Sequence, residues 1–217
     1  MRRLTDTDAA IAYSTGLLRG DRVYLREVRE DDLVQLTRWW NDPATLGLQQ
    51  STVRPIPGQT MADRFRLWTA NTSPHDTGFA VVRTDDDTLI GQTGLKGAPN
   101  GRSAEFVTVL GPEFTSRGYG TETVRLMLRF GFAELGLHRV ELRAWGFNTR
   151  AIGAYLRAGF VEEGRRRDVT FHNGQYGDEV IMGILEQEWW SRAEAGDGAA
   201  ENVTTGTEAE RSETHGY

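Results

Sequence analysis

The segment Ser116-Arg117-Gly118-Tyr119-Gly120-Thr121-Glu122 constrains this chain more than any other. An extended apolar run, Ala104 to Leu110, precedes it. A helical pattern follows, with Val124, Met127, Leu128, Gly131 and Leu135 at i, i+3, i+4, i+7 and i+11. A strand feeding a glycine-rich turn that opens a helix is a phosphate-binding design. The first amides of a helix lack intrahelical partners, and the helix dipole adds partial positive charge at the same end. Gly118 and Gly120 let the backbone approach a phosphate with no Cβ in the way. The loop therefore predicts a phosphate-bearing ligand.

Two other kinds of phosphate loop are excluded. A Walker loop needs a lysine in GxxxxGK[ST], and the only lysine here is Lys96, in Gly94-Leu95-Lys96-Gly97. A dinucleotide fingerprint needs GxGxxG at the start of a βαβ unit. Here Thr123 stands where the third glycine belongs, and no such unit leads into the loop.

The remaining elements read in order. Residues 1–18 are polar and weakly patterned, an arm or an added short helix. Val23 to Val28 is a strand, and Asp31 or Asp32 caps a helix that runs to Trp40 and ends at Asn41-Asp42-Pro43. A second helix spans Met61 to Ala70. Phe79 to Arg83 and Thr88 to Leu95 form a hairpin around Asp85-Asp86-Asp87. Arg139 to Trp145 alternates as a strand, and Thr149 to Ala158 is a short helix stopped by Gly159. Val161 to Phe171 and Tyr176 to Leu185 are strands joined at His172-Asn173-Gly174. Hairpins mixed with strand–helix–strand crossovers predict an α/β fold with one mixed sheet and helices on its faces.

Charge divides the chain. Glu186 to Tyr217 holds eight acids and two arginines, which is the whole net charge of −6; the rest is neutral overall. Residues 19–190 are therefore expected to form the domain, and 191–217 an acidic, disordered tail. A neutral domain has no nucleic-acid footprint. No apolar run reaches membrane length, and Leu4 to Ser14 carries two Asp and two Thr where a signal peptide is apolar. The absence of cysteine excludes thiolate zinc sites and a cysteine nucleophile and fits a cytoplasmic protein. No His/Asp/Glu cluster has metal spacing, so no metal is expected.

A second motif, Asn148-Thr149-Arg150-Ala151-Ile152-Gly153-Ala154-Tyr155-Leu156-Arg157-Ala158-Gly159-Phe160, names a family. It resembles the N-x-x-A-I-x-x-Y-x-x-x-G-F signature of the GNAT superfamily of acetyl-CoA-dependent N-acetyltransferases. The Ser116–Gly120 loop resembles that family's [QR]-x-x-G-x-[GA] motif, although Thr115 stands where the family has Gln or Arg. Val23-Tyr24-Leu25-Arg26 with Asp31-Asp32, Trp39-Trp40-Asn41-Asp42-Pro43, and Asn173-Gly174-Gln175-Tyr176 resemble the RimJ/RimL and spermidine-acetyltransferase subgroup. The resemblance covers about residues 20–190. It implies a mostly antiparallel sheet with a central splay between two parallel strands.

The resemblance also implies roles. Acetyl-CoA is the co-substrate, gripped by Ser116, Arg117, Gly118, Tyr119, Gly120 and Thr121, mainly through their backbone. Thr108, Val109 and Leu110 would pair with its pantetheine arm, and Asn148 would contact it. Amides freed by the splay would stabilise the oxyanion. Tyr155 is the candidate acid for the leaving thiolate, since a phenol of pKa near ~10 can donate a proton there. Asn148, Ala151, Ile152 and Tyr155 stand on one helix face, which would meet the cofactor. Glu105 and Glu141 are the candidate bases for the amine. The acceptor would be a primary amine: a protein N-terminus, a polyamine or a small molecule. Many such enzymes dimerise, so a homodimer is an allowed assembly. Two readings compete on the same residues, a non-catalytic acyl-CoA-binding regulator and an interaction protein using Trp39-Trp40 as a patch.

Overall fold

Each apolar alternation in the sequence becomes a strand. The computed structural model describes residues 4–73, 76–97 and 101–195. Helix α1 (Thr7–Leu17) precedes strand β1 (Val23–Arg26). Helices α2 (Asp32–Trp40), α3 (Leu46–Gln49) and α4 (Gly58–Trp68) come next, then the meander β2 (Asp76–Arg83), β3 (Leu89–Gly97) and β4 (Ser103–Leu110). Helix α5 (Tyr119–Ala133), strand β5 (Arg139–Trp145) and helix α6 (Thr149–Ala158) follow. The hairpin β6 (Val161–His172) and β7 (Gln175–Leu185) leads into helix α7 (Glu186–Glu194).

The strands form one sheet in the order β1-β2-β3-β4-β5-β7-β6. Every neighbouring pair is antiparallel except β4 and β5, which are parallel. This is the mixed, mostly antiparallel sheet expected from the motifs. The parallel pair is short: Ser103, Ala104 and Glu105 face Arg139, Val140 and Glu141, and beyond that rung the strands part. Five further residues of β4, Phe106 to Leu110, keep their β3 partners but have none on the β5 side.

Two cores cover the two faces. On one, Phe79, Val81, Ile90, Leu95, Phe106, Val140, Leu142, Met182 and Ile184 pack against Val124, Met127, Leu128 and Phe132 of α5, with Trp189 of α7 buried beside Phe132. On the other, Leu33, Leu36 and Trp39 of α2 meet Met61 and Phe65 of α4. The Arg26 guanidinium grips Asp32 with two bonds of 2.7 and 3.0 Å and ties β1 to α2. Asp32 also accepts the Arg29 amide at 2.8 Å, and the guanidinium and this amide hold its carboxyl below the usual range despite partial burial.

Two elements differ from the sequence reading, and a third decides between alternatives it left open. The first 18 residues contain a full helix, α1, capped by Asp6 through the Ala9 amide at 2.8 Å. It is docked by Arg129 of α5, whose guanidinium donates to the carbonyls of Leu17 (3.0 Å) and Arg19 (2.9 Å). Helix α3 and helix α7 were not expected; both are short and lack a strong side-chain N-cap. The expected domain end at 190 falls inside α7, and the part of the acidic tail beyond 195 lies outside the described residues. Among the described residues no helix is long and apolar enough to cross a membrane.

Arg129→Met should undock α1, because it removes a charged donor from carbonyls that then lack partners. A loss of about 1–3 kcal/mol in denaturant unfolding is expected, with faster proteolytic cutting between residues 4 and 20. Unchanged stability and cutting would show that the guanidinium does not hold α1.

Candidate active site

A cavity of about 660 Å³ runs through the opening between β4 and β5. Its walls come from the loop before α5, the unpaired half of β4, the inner face of α6, and the ends of α2 and α4, with α3 and residues of β3, β5 and β7 completing them.

At one end is the start of α5. Ser116 (φ 60°) and Gly118 (φ 86°) both adopt left-handed backbone. Gly118 is the N-cap residue and offers no side-chain cap, so the Tyr119, Gly120 and Thr121 amides have no partner inside the helix. The first intrahelical bond runs from the Glu122 amide to the Gly118 carbonyl at 3.2 Å. Glycine is favoured at position 118 because its φ of 86° strains a side chain; a Cβ would also meet the Arg22 guanidinium at 2.6 Å, which would have to swing aside. A Cβ on Gly120 would meet only Leu110 Cδ1, at 3.4 Å. Glu122 locks the loop to the start of β1 by accepting the Arg22 amide at 2.9 Å. These residues fit a phosphate-bearing ligand, because the amides are unspent and the backbone is bare.

From Leu110 back to Glu105, β4 spans ~17 Å along the cavity wall. Leu95, Ala104, Phe106, Val140 and Leu142 lie in the core under α5. By strand alternation Lys96, Glu105, Glu141 and Arg143 project on the opposite face, toward α2 and α4. The cavity therefore passes from the α5–α6 side of the sheet to the α2–α4 side.

Helix α6 contributes Asn148, Ala151, Ala154 and Tyr155 to the wall. Ile152, expected on this face, packs into the core instead, and Ala154 takes its place; a cavity at the strand opening meets the helix obliquely. Asn148 is the N-cap, its Oδ1 accepting the Ala151 amide at 3.2 Å, which leaves Nδ2 as a donor. Tyr155 sits between Phe106 and Phe160, with ring centroids 6.1 and 6.0 Å away. Desolvation pushes its phenol up to about 12, so the hydroxyl stays protonated across the physiological range.

Glu105 lines the cavity, with Arg143 Nε 3.8 Å from its carboxylate. Glu141 does not line it: Arg139 Nε holds Glu141 at 3.1 Å and also pairs with Glu163. Thr108, Val109, Leu110, Ser116, Gly118, Gly120, Thr121 and Asn148 all reach the wall. Arg117 and Tyr119 do not; Tyr119 is buried, with the Arg22 guanidinium 4.8 Å from its ring centre.

Sequence reasoning passed over four wall residues. Trp68 closes α4 at 5.5 Å from Trp40, and Lys96 Nζ stands 4.8 Å from the Trp68 ring centre. Arg143 faces Glu105, and Arg150 reaches from α6 to Thr115 Oγ1 at 3.2 Å. A lone lysine at a strand end was the one readable signal. Among the described residues no group of three His, Asp or Glu side chains is placed to hold a metal ion.

Comparison with known proteins agrees with this geometry. Residues 22–161 match the acetyltransferase (GNAT) domain family, and the chain belongs to that family. It is 28% identical over 111 residues to the uncharacterized N-acetyltransferase YnaD of Bacillus subtilis, covering 51% of this chain and 65% of that protein. It is 36% identical over 93 residues to a spermidine N(1)-acetyltransferase of Vibrio cholerae, covering 43% and 54%. The chain thus spans between half and two thirds of these curated relatives. Among solved structures, spermidine N-acetyltransferase from Vibrio cholerae in complex with CoA and spermine superposes with a TM-score of 0.68 at 25% identity, covering 77% of this chain and 98% of that one.

Asn148→Ala should cost about 0.5–2 kcal/mol of stability through loss of the α6 cap. Asn148→Asp should keep most of it, since Asp caps equally well. Equal stability of wild type and Asn148→Ala in urea would remove the cap from the account of this wall.

Proposed function

We propose that this chain is an acetyl-CoA-dependent N-acetyltransferase that acetylates a primary amine. One observation carries the reading: Glu105, Tyr155 and, at the uncapped start of α5, Gly120 and Thr121 all border one cavity, which crosses the sheet where β4 and β5 separate.

In this reading the Gly120 and Thr121 amides and the loop before them take the phosphates of CoA, and the open edge of β4 at Thr108–Leu110 pairs with its pantetheine arm. Asn148 Nδ2 contributes a donor from α6. Acetyl-CoA is a co-substrate, supplying the thioester that is broken. Glu105 takes a proton from the incoming ammonium, because only the neutral amine has a lone pair to offer. The amine nitrogen bonds to the acetyl carbon and becomes cationic; as the C–S bond breaks and its electron pair goes to sulfur, that nitrogen sheds its second proton to solvent and the amide forms. Tyr155 hands its proton to that sulfur and recovers one from solvent. Glu141, spent on Arg139 and away from the wall, is the weaker candidate for the base.

Acetyl-CoA should raise the melting temperature, since a ligand that binds only the native state stabilises by about 2.7 kcal/mol at 100 times its Kd. Gly120→Val should fold and lose most of that rise, because its added atoms occupy the cavity wall. A full shift in the variant would remove the loop from the binding site.

Tyr155→Phe keeps the ring and removes the proton. kcat should fall by roughly 10²-fold, with acetyl-CoA affinity little changed. The sign of the pH dependence separates the two groups. Because the phenol is held up near 12, its ionisation should take nothing from kcat below about pH 10. Glu105→Gln should lose most at neutral pH and recover toward pH 10, where the amine is neutral unaided. A Tyr155→Phe enzyme within two-fold of wild type would reduce Tyr155 to packing.

A further inference from the structure

The acceptor end of the cavity is built for an amine that also carries an anion. It lies on the α2–α4 side of the sheet, one strand length from the phosphate end. Its floor is a cross-strand row in which Lys96 of β3 is the register partner of Glu105 of β4. Its roof is the pair Trp40 and Trp68.

The charges there are not equivalent. Glu179 is already held by Arg166 at 2.7 Å, and Glu105 stands 3.8 Å from Arg143. Lys96 is exposed to the cavity and has no carboxylate within ion-pair distance among the described residues. It rests on the face of Trp68 instead, its Nζ 4.8 Å from the ring centre. The end therefore holds two cations, Lys96 and Arg143, around one carboxylate that is not already committed at short range.

This arrangement opposes a polycation. An indole face attracts ammonium groups, but on Trp68 that position is taken by the protein's own lysine. A second ammonium of a polyamine would have to approach Lys96 or Arg143, and like charges at such range repel. An anion gains from both. Cross-strand partners hold their Cβ atoms ~4.5–5.5 Å apart, so the Glu105 carboxylate and Lys96 ammonium begin as neighbours. A ligand with its amine at Glu105 and its anion at Lys96 needs the two groups only a few bonds apart.

Resting on the acetyltransferase reading above, we propose that the acceptor is a small amine bearing a carboxylate, of the amino-acid class, with Lys96 as the residue that selects the carboxylate and Arg143 beside it. The amine then loses its proton to Glu105 and forms the C–N bond to the acetyl carbon, while the carboxylate remains unchanged at Lys96. The product is an N-acetyl amino acid and free CoA.

The test is thiol release from acetyl-CoA with the purified full chain. Each of the common amino acids is compared with its own α-carboxamide, and spermidine is added as the polycation. At least one amino acid should exceed its carboxamide ten-fold or more in kcat/KM, and spermidine should trail it. In Lys96→Met the ratio of amino acid to carboxamide should collapse toward one, and Lys96→Glu should shift preference toward spermidine. Both variants change a solvent-exposed side chain, and an unchanged thermal shift with acetyl-CoA shows that each is folded and loaded. Spermidine or carboxamides turned over as well as any amino acid, or a ratio that survives Lys96→Met, would overturn the assignment while leaving the acetyltransferase reading standing. Acetyl-CoA binding with no turnover of any carboxylate-bearing amine would also overturn it. Absence of both the thermal shift and thiol release with every amine would instead remove the acetyltransferase reading itself.

Discussion

The parting of β4 from β5 after the Glu105–Glu141 rung is the constraint on which the rest of this structure depends. A parallel pair would normally run on for the full eight residues of β4. Here the last shared rung sets two carboxylates side by side, which is unfavourable for directly opposed like charges. Arg139 and Arg143 answer one carboxylate each, at 3.1 and 3.8 Å, and both lie on β5. The pairing that remains is too short to close the sheet, and it leaves backbone polar groups of Phe106 to Leu110 without a strand partner. Such groups are costly if buried dry. They border a cavity, so the opening is open to water or a ligand rather than an internal defect.

The two helices after β4 are placed by the same break. Helix α5 starts after residues 111–118, which include a 3-10 turn at Pro112–Phe114, and its first residues Gly120 and Thr121 border the opening. Helix α6 follows β5 and brings Tyr155 to the other lip, where Phe106 of β4 fixes the ring edge-on at 6.1 Å. The phenol thus borders the opening yet is desolvated enough to remain a neutral acid. Burial keeps the phenol protonated but also makes it a weaker acid, because donation leaves a desolvated phenolate, so the proton has to move as charge develops on the sulfur.

How much of this was legible in the sequence follows from the range of the forces involved. Strands and long helices were readable because their apolar periods are local, and the two glycine motifs because only certain residues tolerate those backbone angles. Glycine at 118 is favoured by its φ. The misses are non-local. Whether residues 1–18 form an arm or a helix was left open, and α1 is held by a half-buried arginine 112 residues away from the carbonyl it binds. Ile152 and Ala154 exchange places because the wall cuts α6 obliquely. Glu105 and Glu141 looked alike as acids on neighbouring strands, and only the ion pairs around them tell one from the other. Lys96 drew notice as the sole lysine, but its meaning needed Trp68, which arrives from a different element and a different face.

The residue that departs from the loop motif, where the family has Gln or Arg, shows the same logic at short range. Thr115 lacks the long polar side chain of its family counterpart, and its hydroxyl turns back to the Pro112 carbonyl at 2.8 Å. Arg150, two residues into α6, reaches across to that hydroxyl at 3.2 Å. A cation therefore stands beside the first residue of the loop, supplied by a different helix. A motif read along one segment counts this position as lost. In space a long polar side chain still stands at this position of the cavity wall, between the two glycine-marked motifs, because Arg150 supplies it from α6.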